Sequence, residues 1–212
     1  MDNFILELPD FLSPQLCEMI INRFNCDDTQ KEGTYIYNLN RNFITSGKNC
    51  IDINITDSTN WGDINSMIES LSHEAVKKYE NHLKKNFDYN KKRHMFERQY
   101  HHTGLGHTEI YVEKYEKSTK DEWRHEYCPW NSTFVHLVYF LNTTEQNDDA
   151  CVEFINGQRI KPERGKLLLY PCSWLLPRRM NTSSESEMYI CTLCTGWNYP
   201  PDPGENCSSG RE

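Results

Sequence analysis

The spacing of apolar residues divides the chain into a helical first part and a stranded second part. Leu16, Ile20 and Phe24, with Cys17 and Ile21 beside them, recur at the helical period. Ser13-Pro14 stands just ahead of them. A serine cap followed by proline in the first turn starts a helix, which is predicted to end near Asn25. A short strand over residues 4–8 precedes it, and strands over 35–39 and 50–55 follow. Residues 61–87 read as one long helix, with Ile64, Ile68, Leu71, Ala75 and Leu83 close to a common face. Lys77, Lys78, Lys84 and Lys85 fall towards solvent and read as a solvated helix face.

From residue 109 the pattern changes to strands, over 109–115, 134–141, 151–154, 166–170 and 188–195, with turn-rich segments between them. Helices first and strands afterwards predict an α+β fold, or a β-sandwich backed by helices. Tyr199-Pro200-Pro201-Asp202-Pro203-Gly204 opens a stretch that reads as a loose tail over 199–212.

Composition narrows the class. The 212 residues suit one domain, and 37% hydrophobic and 25% charged residues are ordinary for a globular protein. No apolar run approaches the roughly 18–20 residues that span a bilayer. Met1-Asp2-Asn3 and the short run ending at Pro9 lack the basic start and longer apolar segment of a secretory signal. The expectation is a soluble, intracellular protein with no membrane association. A net charge of −8 repels phosphate backbones and argues against nucleic acid as a partner. Nine cysteines, an odd number without a signal, argue for reduced thiols rather than a disulfide framework.

Several blocks of the second half then fall in a familiar order. Ile110-Tyr111-Val112-Glu113-Lys114-Tyr115 is followed by Trp123-Arg124-His125-Glu126-Tyr127, and then by Leu137-Val138-Tyr139-Phe140-Leu141-Asn142. After these come Val152-Glu153-Phe154, the run from Ile160 through Gly165-Lys166 to Tyr170-Pro171, and Thr192-Leu193-Cys194-Thr195-Gly196-Trp197. In order and spacing this resembles the prolyl-4-hydroxylase-like 2-oxoglutarate/iron(II) oxygenases. The resemblance implies a double-stranded β-helix, or jelly roll. Its core strands would cover about 109–197 and its helical support about 12–90, within one domain over 1–198.

The same resemblance locates the chemistry and shows it altered. Oxygenases of this kind hold iron(II) with two imidazoles and a carboxylate on one face. His125 fits the first ligand. The second should sit two residues on, since alternate strand residues share a face, and that residue is Tyr127. A phenol brings no ready negative charge at neutral pH. Glu126 has the wrong parity and would reach the site only through a bulge. Arg178 falls at the distal histidine position, and a guanidinium stays protonated and cannot coordinate a metal. Met188 falls where a lysine or arginine would pair with the far carboxylate of 2-oxoglutarate.

The expectation is therefore a pseudoenzyme. His125, Tyr127 and Arg178 would form a polar plug in the old pocket, with Glu126, Glu122 or Glu153 as counter-charge and no cofactor. Its role would be structural or protein-binding, with a protein or peptide partner. An alternative is an active iron(II)- and 2-oxoglutarate-dependent dioxygenase with unusual ligands, His125 and Glu126 plus one of His101, His102 or His107. A third reading is an anion- or sugar-binding protein using Arg124, Arg178 and Arg179.

Two further constellations read as structural. Cys191 and Cys194 are three apart on a strand and would face opposite ways. The histidines around Gly104 and Gly106 suit a surface loop. Trp61, Trp123, Trp130, Trp174 and Trp197 read as core or rim aromatics rather than a stacking platform.

Overall fold

A computed structural model describes residues 4–39, 42–56, 58–87, 105–126, 133–144 and 149–197, with the backbone alone for 34–39 and 42–47. Tyr127, Trp130, His101, His102, Gly104 and the 199–212 tail lie outside the described residues.

The first helix, α1 (Pro14–Cys26), begins as its sequence dictates: Leu16 N donates to Ser13 Oγ at 3.2 Å. Its buried stripe is Leu16, Cys17, Ile20 and Phe24. The second, α2 (Gly62–Asn86), buries Ile64, Ile68, Ala75 and Tyr79, while Lys77, Lys78, Lys84 and Lys85 are exposed. A short 3-10 turn, Thr59–Trp61, leads into it, and Trp61 Nε1 donates to Asp27 Oδ2 at 2.7 Å, tying the two helices.

Eleven strands are described: β1 (Leu6–Leu8), β2 (Lys31–Leu39), β3 (Asn42–Asn54), β4 (Leu105–His107), β5 (Tyr111–Tyr115), β6 (Thr133–Phe140), β7 (Cys151–Phe154), β8 (Arg159–Ile160), β9 (Leu167–Pro171), β10 (Arg178–Asn181) and β11 (Met188–Trp197). A large sheet runs β1-β9-β6-β11-β5-β3-β2, with β4 also on β11; a small sheet runs β10-β7-β8. Their pairings are antiparallel. The expected α+β jelly roll backed by helices is the observed architecture.

Alternation along the strands gives the large sheet two apolar faces. On β6, Leu137 and Tyr139 join the helices' Ile20, Phe24 and Ile68 in one core. Val138 and Phe140 turn the other way and meet Val152, Phe154 and Met180 of the small sheet in a second core. Met188 is fully buried in that second core. At the polar end of this second core, between the sheets, lies a pocket that holds Arg178 and Glu126.

Several elements depart from the sequence reading, among them the short strands β4 and β8, which it does not predict. β10 was not anticipated, because Pro177-Arg178-Arg179-Met180-Asn181 carries one apolar residue and looks like a turn. It is a strand because Arg178 and Met180 alternate inward against Arg179 and Asn181. The β2–β3 hairpin is longer than its apolar residues suggest, since backbone pairing continues through polar Asn, Thr and Ser positions.

Gly165 anchors the N-terminal segment. Its φ is +86°, and its carbonyl accepts from Phe11 N at 2.7 Å and Leu12 N at 2.9 Å. A Cβ there would lie 2.5 Å from Leu12 O. Gly165→Ala is therefore expected to lower stability by about 1–3 kcal/mol, read as a reduced urea midpoint with unchanged slope.

Candidate functional site

The pocket's polar end is built by one row across the large sheet and one strand of the small sheet. Tyr170 on β9, His136 on β6 and Cys194 on β11 stand opposite one another in register. Facing them is Arg178, the first residue of β10. The segment ahead of the gap, residues 120–126, runs beside β10 and touches it at two bridges, Lys120–Asn181 and Arg124–Arg178.

Arg178 is 1% exposed and sits at the centre of this end. Its Nε donates to the Tyr170 hydroxyl at 2.7 Å, and its Nη2 donates to Glu126 Oε1 at 2.6 Å. Tyr170 also hydrogen-bonds His136 Nδ1, which lies 3.7 Å from Glu126. Arg124 Nε is 3.9 Å from Glu126, and its other nitrogens bond the Asp121 carboxylate and, at 2.7 Å, the Tyr115 hydroxyl. The Tyr115 hydroxyl donates to Glu113 Oε2 at 2.8 Å. Glu113 in turn accepts from Lys48 Nζ at 2.8 Å and Thr192 Oγ1 at 3.1 Å, and Lys48 is 3.5 Å from Asp52. Acids and cations alternate along one buried chain, from Asp52 to Glu126 and Arg178.

Such charges survive burial only if paired. Burial alone would raise the Glu126 carboxyl. The field of His136, Arg178 and Arg124, of which the guanidiniums stay charged at neutral pH, holds it well below the usual carboxylate range. Glu113 is likewise held low against burial, chiefly by Lys48. Burial lowers His136 to about 4, so its ring is neutral at pH 7. Burial raises Asp121 to about 6 in spite of the nearby guanidiniums. Arg178 is held charged by Tyr170 and Glu126 although burial opposes it.

The comparisons with known proteins agree with this architecture. No family model matches the chain, and no curated protein matches it by sequence. Solved structures do. A prolyl hydroxylase from Trichoplax adhaerens, in complex with a hypoxia-inducible-factor oxygen degradation domain peptide fragment, aligns with a TM-score of 0.62 at 15% identity, covering 92% of this chain and 84% of that one. A prolyl-4-hydroxylase from Pseudomonas putida gives 0.55 at 12%, covering 91% and 92%. A 2OG-Fe(II) oxygenase family oxidoreductase from Burkholderia pseudomallei gives 0.53 at 9%, covering 91% and 85%. This chain has the oxygenase fold.

Within that fold, the structure brings together only some of the residues the sequence singles out. Arg178 points into the pocket, and Met188 lies in the apolar core opposite Tyr115. His125 is half-buried beside the Arg124–Arg178 bridge. Glu126 corrects the parity argument, because it does reach the pocket. Arg124 and Glu126, two residues apart, both turn to the pocket, so the alternation runs one residue out of phase with that counted from His125. Of the three proposed counter-charges, Glu126 is the partner of Arg178. Glu153 pairs with Arg179 at 2.6 Å on the opposite face of the small sheet, and Glu122 is exposed.

The same parity corrects the arginine anion site. Arg124 and Arg178 are committed to acids inside, while Arg179 faces outward over the Trp123 ring at 4.5 Å. The three do not converge. His107 meets Glu69 and the Thr108 carbonyl, away from the pocket. Cys191 packs in the helix-side core and Cys194 turns to the pocket, on the opposite faces that their spacing predicts. An open polar cleft of about 420 Å³ lies outside the sandwich, on the outer face of the small sheet around Glu153, Arg159 and Arg179.

The residues do not fit an iron(II) centre with two imidazoles and a carboxylate. The Arg178 guanidinium, which cannot ligate a metal, lies between the sheets and already holds Glu126. A dication there would sit against Arg178 and Arg124, with the pocket's carboxylate shared among three cations. A different set of donor atoms does converge: those of Glu126, His136 and Cys194 lie within 4.8 Å of one another.

Two outcomes follow from the pair. Arg178→Met leaves Glu126 buried without its main partner and is expected to cost about 3–5 kcal/mol in urea unfolding, whereas Arg178→Met with Glu126→Leu costs much less. The Glu126 carboxyl is depressed in the folded state, so its stabilisation is present above the ordinary carboxylate range and lost as pH falls through it. Unfolding free energy measured from about pH 5 to pH 3 should decline less steeply in Glu126→Gln than in the natural sequence.

Proposed function

We propose that this chain uses the oxygenase fold as a protein- or peptide-binding module, with the iron and 2-oxoglutarate chemistry of the fold replaced by a buried ion network. The observation that carries this reading is Arg178, buried between the sheets and bonded to both Tyr170 and Glu126. Met188 supports it from the co-substrate side. A buried 2-oxoglutarate carboxylate would find a thioether in an apolar core where it needs a cation.

A partner surface is offered beside the pocket. Ile155, Trp174 and Leu175 are more than half exposed, and Ile155 N bonds Pro177 O at 2.9 Å, which sets it against the 174–177 turn. Trp123 and its stacked Arg179 extend the outer face. Exposed aromatic and aliphatic side chains gathered in this way suit a protein contact. Among the described residues no helix is long and apolar enough to cross a membrane.

A second reading, an iron(II)- and 2-oxoglutarate-dependent dioxygenase with non-standard ligands, draws on the fold and on the convergence of Glu126, His136 and Cys194. Anaerobic loading with iron(II) and 2-oxoglutarate, followed by oxygen and measurement of succinate, separates the two. The binding-module reading predicts succinate at the level of a protein-free control. Turnover above it, lost in Glu126→Gln, would establish the dioxygenase instead.

A further inference from the structure

The outer face of the small sheet carries charged side chains that the pocket does not use. Those that alternate outward from β10, β7 and β8 meet in register, Arg179 opposite Glu153 and Glu153 opposite Arg159. They line the open cleft of about 420 Å³, which Lys120 of the neighbouring 118–120 turn also lines. We propose that this cleft binds an acidic segment of a protein partner, taking its carboxylate or phosphoryl side chains between Lys120, Arg159 and Arg179. This rests on the reading of the chain as a protein-binding module and names the chemistry of the partner.

Charge selects the ligand. Glu153 is already engaged: its Oε2 accepts from Arg179 Nε at 2.7 Å and from Asn181 Nδ2 at 3.1 Å, with Arg179 Nη2 2.6 Å away. The acid nearest Arg159 is Asp149, at 3.6 Å. Their side chains are 49% and 94% exposed, so water screens the pair and it holds the guanidinium weakly. Lys120 is exposed and has no acidic partner among the described residues. Around the cleft, Lys120, Arg159 and Arg179 thus outnumber Glu153 and Asp149, on a chain whose net charge is −8. An acidic segment is attracted at this place, while the chain's net charge opposes its binding elsewhere.

The donors are held in place before a ligand arrives. Arg159 Nε donates to Cys151 Sγ at 3.3 Å and its Nη2 to the Asp149 carbonyl at 3.1 Å. Arg179 is fixed by Glu153 and by the Trp123 ring that it stacks on. Both guanidiniums keep an Nη1 group with no partner among the described residues. The turn that carries Lys120 is tied down as well. Ser118 N donates to Ser183 O at 2.6 Å, Thr119 N donates to Thr182 Oγ1 at 2.7 Å, and Lys120 bridges Asn181. Guanidiniums fixed in this way lose little freedom when they bond a carboxylate or phosphate. Trp123, partly exposed beside Arg179, adds an aromatic contact next to the charges, which suits a peptide better than a free anion.

The full chain would be titrated, by fluorescence anisotropy, with labelled peptides of equal length that differ only in bearing glutamates, phosphoserines or, as the neutral control, glutamines. The proposal predicts that the better of the acidic peptides binds about tenfold or more tighter than the glutamine peptide. That affinity should fall as salt is raised. Lys120→Ala and Arg159→Ala should each weaken it about three- to fivefold, while Lys77→Ala, on the exposed face of α2, should leave it unchanged. The preference of the natural sequence among the peptides decides the matter even if a variant fails to fold. Equal affinity for acidic and glutamine peptides, no binding of either acidic peptide, or unchanged affinity in a folded Lys120→Ala, Arg159→Ala double variant would overturn the cleft. Succinate formation in the loading experiment overturns the binding-module reading whatever the peptides do. Failure of the acidic peptides without succinate overturns the cleft alone.

Discussion

The bond from Arg178 to Glu126 is the constraint on which the rest of this pocket depends. A guanidinium that is 1% exposed has to be matched by a carboxylate, and the carboxylate has to be brought to it. That requirement draws the 120–126 segment alongside β10. It orients Tyr170 and, through it, His136, and it fixes Arg124 between Glu126 and Asp121. From Arg124 the pairing continues through Tyr115 to Glu113 and Lys48. Removing one member strands the next in a region of low dielectric, so the network behaves as a unit.

The jelly roll tolerates this because its two cores are separate. The helix-side core, with Ile20, Phe24, Ile68 and Tyr139, makes no use of the pocket. Between the sheets, Phe140, Phe154, Met180 and Met188 close one end with apolar packing and leave the other to the charges. A fold whose usual use of that space is an open metal site can hold a filled one without moving a strand, provided the charges balance.

The fold was legible in the sequence because it rests on periodicity and block order. Ser13-Pro14 starts α1 where it should, and the alternation in β5, β6, β9 and β11 gives both faces of the large sheet. Part of the pocket was legible as well. The resemblance singles out Arg178 and Met188, and the structure buries both between the sheets. Its new partners were harder to find. Strand parity counted from His125 turns Glu126 outward, whereas the structure turns Arg124 and Glu126 inward together. His136 and Glu113 carried a usable signal, since an ionisable residue inside an otherwise apolar strand calls for a buried partner. Which partner could not be read, because Lys48 and Glu113 are 65 residues apart and meet only when β3 pairs with β5.

The account stands or falls on where Arg178 points when metal and co-substrate are supplied. Crystals grown anaerobically with manganese(II), as an inert stand-in for iron(II), and 2-oxoglutarate would show it directly. The account predicts Arg178 still bonded to Glu126 and Tyr170, with no manganese or 2-oxoglutarate between the sheets. A manganese ion held by His125 and Glu126, with Arg178 swung out of the pocket and 2-oxoglutarate bound beside Met188, would contradict it.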